Sequence, residues 1–139
     1  MGNFGKMRLI GLVNIVRKIN DELAIAGQIT LEQLQQIGDE GYRSVVNLRL
    51  PDETGFLANE QEKTDLLGLY YVNFPTRPED INHQSTLQIY QTITELPKPI
   101  LIHCDNSIRS AAIALLYIAL KQGIAFEKAL QKVINIGLI

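Results

Sequence analysis

Apolar positions along the chain follow two periods in turn. Leu23-Ala24-Ile25-Ala26 is a short apolar run closed by Gly27, which reads as a strand. Thr30 follows, with Gln33 three residues on, a capping-box pair that opens a helix. Leu31, Leu34 and Ile37 form its apolar stripe, and Gly41 ends it. The next strand is expected over Tyr42–Leu50, with Val45, Asn47 and Arg49 on one face and Val46, Leu48 and Leu50 on the other. Pro51 stops it. A helix over Asn59–Leu67 ends at Gly68, a strand over Leu69–Phe74 ends at Pro75, and a polar loop, Thr76 to Asn82, leads to a helix over His83–Leu96. Pro97 and Pro99 bracket the turn into Ile100-Leu101-Ile102-His103, an unbroken run suited to a central strand buried on both faces. The helix predicted from about Ser110 is apolar on nearly every side and is expected to be buried. Gly123 separates it from a last helix, Phe126 to Ile134.

Strand–helix alternation at this spacing predicts an α/β fold, with a central, mostly parallel sheet of four to five strands and helices on both faces. The 139 residues are expected to form one domain, with residues 1–13 peripheral to it. Ligands of such sheets bind beyond the carboxyl ends of the strands, which directs attention to the loops after Arg49, Phe74 and His103.

Charge and composition narrow the partners. The formal net charge is −2, so no basic field draws nucleic acid or an anionic membrane. Any phosphorylated or acidic ligand needs a local site. Cys104 is the only cysteine, which fits a reducing compartment and a cytoplasmic location. The longest apolar stretch, Ala111 to Leu120, falls short of the ~20 residues a spanning helix needs. His103 and Cys104 are too few for a metal centre and no Cys/His cluster occurs elsewhere, so neither metal nor cofactor is expected.

The sharpest signal is His103-Cys104-Asp105-Asn106-Ser107-Ile108-Arg109-Ser110, set between a buried strand and a helix. The first amides of a helix have no intrahelical partner and bind anions. The same end of the helix dipole stabilises a thiolate. Arg109 adds a planar fork for two oxygens of a tetrahedral oxyanion. A thiolate under an oxyanion cradle is equipped to attack phosphorus or sulfane sulfur. The competing reading is a free cysteine acting as a small buried hydrophobe.

His103, Cys104, Arg109 and Ser110 resemble the signature of protein tyrosine and dual-specificity phosphatases in type and order. Four residues separate Cys104 from Arg109, one fewer than in those enzymes, and this is the loop length of rhodanese sulfurtransferases. Ile25-Ala26-Gly27-Gln28, then Val45-Val46-Asn47-Leu48-Arg49 with Pro51-Asp52-Glu53, and Cys104 to Ser110 together resemble a bacterial phosphatase family that also occurs fused to metallo-β-lactamase-like hydrolases. The resemblance spans roughly residues 14–135. It implies a dual-specificity-phosphatase-like fold with a shortened Cys-x4-Arg loop. It also implies hydrolysis of phosphate monoesters through a phosphocysteine on Cys104, with a phosphorylated small molecule or phosphoprotein as substrate. The alternatives are a rhodanese-like sulfurtransferase carrying a persulfide on Cys104, and an anion- or phospho-ligand-binding module of low turnover. The family usually has glycine at the place of Ser107; if that place requires positive φ, serine costs about 1 kcal/mol.

Around the nucleophile, the site is expected to comprise Asp105, Asn106, Ser107 and Ile108 as the cradle, with Asp105 turned outward. Ser110 is expected to donate to the thiolate or cap the helix, and His103 to hydrogen-bond loop carbonyls. Arg49 is placed either to reach the anion or to pair with Asp52 or Glu53. A phosphatase also needs an acid for the leaving group. Asp80 is the candidate, with Glu79 second; the bland reading is that Asp80 starts the following helix.

Overall fold

The computed structural model describes residues 15–139. The peripheral segment expected at residues 1–13 lies outside the described residues. Five strands form one sheet: β1 (Val16–Lys18), β2 (Leu23–Ala26), β3 (Ser44–Asn47), β4 (Tyr70–Asn73) and β5 (Ile100–His103), in the order β1-β2-β5-β3-β4. All neighbours are parallel except β1, which runs antiparallel to β2 at the edge. The helices are α1 (Leu31–Asp39), α2 (Glu60–Leu66), α3 (His83–Glu95), α4 (Ile108–Lys121) and α5 (Phe126–Asn135). This is the mostly parallel α/β sheet predicted from the chain. The added strand, β1, reads Val16-Arg17-Lys18 and is half exposed, so no apolar alternation marks it.

Strand periodicity divides the core in two. Leu23, Val46, Leu48, Ile100 and Ile102 face one layer, with Ile89 and Ile93 of α3, Ile113 and Leu116 of α4, and Phe126 and Val133 of α5. Ala24, Ala26, Val45 and Leu101 face the other, with Leu34 and Ile37 of α1. β5, fully buried, lies at the centre between β2 and β3. The Thr30–Gln33 capping box forms as expected. The start of α3 differs: Asn82 is its N-cap and shares a capping box with Ser85, while Asp80 closes a short 3-10 turn, Pro78–Asp80, before it.

α4 is a correction in degree. It buries Ala112, Ile113, Leu116 and Tyr117, but Leu115 is 38 % exposed beside a groove shared with α5. The apolar run is longer than the sheet face it covers.

Candidate active site

Three loops at the carboxyl end of the sheet converge on one guanidinium. Arg109, in the first turn of α4, donates from both terminal nitrogens to Glu53 of the loop after β3, at 2.8 and 2.7 Å. It donates to the Thr76 carbonyl in the loop after β4 at 3.2 Å. It also donates to Asp105 in the loop after β5 at 3.1 Å. This is the convergence that parallel α/β topology provides. The bidentate fork is the strong geometry for a guanidinium and a carboxylate. The Arg109 guanidinium, with Arg49 and the Leu50 amide assisting, pulls Glu53 down to about 2. In return Glu53, then Asp105, fix Arg109 as a cation.

Arg49 stays out of the cradle. It is buried, donates to Glu53 at 3.2 Å and to the Gln28 side chain at 2.7 Å, and also reaches the Thr54 carbonyl. Of the two roles open to it from sequence, the structure shows the ion pair. Gln28 in turn donates to Glu60 at 3.2 Å.

Glu60 opens α2 and is fully buried, as is His103 at the end of β5. The His103 Nε2 lies 2.6 Å from a Glu60 carboxylate oxygen, and Nδ1 lies 3.4 Å from the Cys104 carbonyl. The buried pair thus gives both ring nitrogens of His103 an oxygen partner. Its removal from water is tolerable only because each group has its partner. Sequence reasoning reaches the His103–carbonyl contact but misses Glu60. The inward stripe of α2 is Glu60 and Thr64, which no apolar period reveals.

Between these two ends lies the Cys104 loop. Cys104 is completely buried and packs in the same core as Val46, Ile89 and Ile113. Its backbone is set by β2: the Cys104 amide donates to the Ala26 carbonyl, and the Gln28 amide donates to the Asp105 carbonyl at 3.0 Å. Gly27 permits that approach, since a Cβ there would lie 2.7 Å from the Asp105 oxygen. The Ser110 hydroxyl donates to the Ala26 carbonyl at 3.1 Å, tying α4 to β2.

Ser107 has φ 69° and is the one non-glycine with positive φ among the described residues. The left-handed conformation that favours glycine therefore does fall on this serine. Its hydroxyl donates to the neighbouring Asn106 carbonyl at 2.6 Å and makes no cap bond to the helix. The Asn106 side-chain oxygen accepts from the Ile108 amide at 3.2 Å. Asp105, expected to face outward, turns inward instead: one carboxylate oxygen accepts from Arg109 and from the Asn106 amide at 2.8 Å. The first backbone bond of α4 is from Ala111 to Ser107, which leaves the Arg109 and Ser110 amides without a carbonyl inside the helix.

Asp80 closes the 3-10 turn Pro78–Asp80. Its carboxylate is 62 % exposed and 4.0 Å from Arg77, and its carbonyl accepts from Ser85. His83 stacks on Phe126 with ring centroids 5.1 Å apart, a packing role.

A phosphatase-like α/β domain with a cysteine-to-arginine loop at a helix N-terminus is what this fold and site define. Residues 15–122 match the family model of the phosphatase-like domain of β-lactamase hydrolase-like proteins, and the chain belongs to that family. The β-lactamase hydrolase-like protein of Agrobacterium fabrum is 30 % identical over 103 residues, covering 71 % of this chain and 24 % of the relative. The chain thus spans about a quarter of the length of that relative. Among solved structures, Tk-PTP in its active form superposes with a TM-score of 0.67 at 22 % identity, covering 85 % of this chain and 81 % of that one. TpbA of P. aeruginosa in complex with phosphotyrosine gives 0.66 at 14 % identity, covering 85 % and 70 %. These likenesses show a shared fold. Among the described residues no helix is long and apolar enough to cross a membrane.

Proposed function

We propose that this domain hydrolyses phosphate monoesters through a phosphocysteine on Cys104. The observation that carries the reading is the convergence of three strand-end loops on Arg109, five residues after Cys104, in a chain of a phosphatase-like family. The Cys104 sulfur attacks phosphorus while the bond from phosphorus to the ester oxygen breaks. Arg109 and the first amides of α4 take up charge on the phosphoryl oxygens. Water then attacks phosphorus, the P–S bond breaks, and inorganic phosphate leaves.

Asp80 is our candidate to protonate the leaving oxygen. It stands four residues beyond Thr76, whose carbonyl already binds Arg109, so its loop borders the site. Its exposure keeps the carboxyl movable. If Asp80 acts so, Asp80→Asn slows aryl phosphates with basic leaving groups and spares activated ones. An equal effect on both kinds of ester would remove it from the mechanism.

The phosphotyrosine held by TpbA favours a phosphorylated side chain or small aryl phosphate as the substrate class. The test is phosphate release from an aryl phosphate, run beside thiosulfate plus cyanide, with Cys104→Ser as control in both. We expect Cys104-dependent phosphate release. Thiocyanate formed on Cys104 without phosphate release would identify a sulfurtransferase instead. Silence in both assays with phosphate still bound would identify a binding module.

A further inference from the structure

We infer that Asp105 is a specificity-determining residue: its carboxylate holds the oxyanion seat of the loop, and any phosphoryl group must displace it. The inference rests on the phosphatase reading and concerns the same site. One Asp105 oxygen accepts from the Arg109 guanidinium at 3.1 Å and from the Asn106 amide at 2.8 Å. A guanidinium N–H and a loop N–H on one oxygen is the donor pair an oxyanion would use. Cys104, the residue before Asp105, is completely buried.

Two carboxylates meet Arg109, and they differ in freedom. Glu53 is 23 % exposed and is also held by Arg49 and the Leu50 amide. Asp105 is 47 % exposed and has no second cation among its contacts. Its backbone is fixed, because its carbonyl takes the Gln28 amide over Gly27. Displacement is therefore a rotation of the half-exposed Asp105 side chain away from a buried guanidinium. With Glu53 in place, an incoming dianion and Asp105 cannot both sit on one guanidinium without like-charge repulsion. Asp105 thereby weakens binding of small free anions. Esters whose other contacts add affinity overcome it.

The test is a titration of the full chain with inorganic phosphate at neutral pH, followed by amide chemical shifts of the loop. It is run on the wild type, Asp105→Ala, Asp105→Asn and Arg109→Ala. We expect Asp105→Ala to bind phosphate about tenfold more tightly than the wild type, with Asp105→Asn between them. The Asn106 amide should shift on saturation of the wild type, as it changes acceptor. Wild-type binding that needs Arg109 but is unchanged or weakened in both Asp105 variants would overturn the inference and leave the phosphatase reading standing. No binding to any of the proteins at millimolar phosphate would overturn both.

Discussion

Two hydrogen-bonded clusters bracket Cys104, and they are built in opposite ways. At the strand end, His103 and Glu60 meet at 2.6 Å with neither side chain exposed. At the helix end, Arg109 meets Glu53 and Asp105, which are 23 % and 47 % exposed. The first is closed to water, and the second leaves its carboxylates partly open to it. A buried pair has no cheaper state to move to, because breaking it strands an unsolvated group. A rim pair can exchange one partner for another of like chemistry. The strand end therefore fixes where the Cys104 peptide lies, and the helix end is where an anion can be exchanged. Gln28 and Arg49 join the two, running from Glu60 to Glu53 beneath the loop.

The sharpest break of this comparison is at the buried end. Glu60→Ala is expected to cost about 3–5 kcal/mol, since His103 is left buried with an unpaired ring nitrogen. Denaturant midpoints at constant m-value measure it. A loss under about 1 kcal/mol would show that the pair is no fixed frame. At the rim, Arg109→Ala is expected to lower kcat/KM for an aryl phosphate about 10²–10³-fold, the scale of losing an oxyanion donor. An unchanged rate would place the phosphoryl group elsewhere.

Smaller effects sharpen the picture. Ser107→Gly is expected to stabilise the protein by about 1 kcal/mol, because glycine accepts the positive φ that serine holds under strain. A neutral or destabilising result would mean that the Ser107 hydroxyl contributes more than the backbone costs. A pH dependence sharpens it further. Glu53 has its carboxyl lowered from 4.5 to about 2 in the fold. Its contribution is full above about pH 4.5 and is lost as pH falls towards 2. Glu53→Gln should flatten the stability profile in that window alone. A profile as steep as the wild type's would assign the acid sensitivity to other carboxylates.

The fold was legible where burial leaves a period. Ile100–His103 was read with its bounds as observed, and the face assignment of Val45 against Val46 matches the two core layers. The loop was legible because a strand, a cysteine, an arginine and a helix follow in order. What the chain concealed is what polar groups do when buried. Glu60 lies on an inward helix face that carries no apolar stripe. Glu53 could be paired with Arg49 by proximity in sequence, but its grip on Arg109 spans 56 positions. The inward turn of Asp105 is a rotamer choice, which residue order does not encode. β1 was hidden because an edge strand with one neighbour needs no apolar pattern.

The central claim is that Cys104 takes the phosphoryl group covalently. It is tested most directly by mixing the protein with a fast aryl phosphate, quenching in acid during turnover and weighing the peptides. The account predicts a mass gain of one phosphoryl group on the peptide that contains Cys104, absent in Cys104→Ser together with all phosphate release. Phosphate release that survives Cys104→Ser, or a phosphoryl group trapped on any other residue, would contradict it.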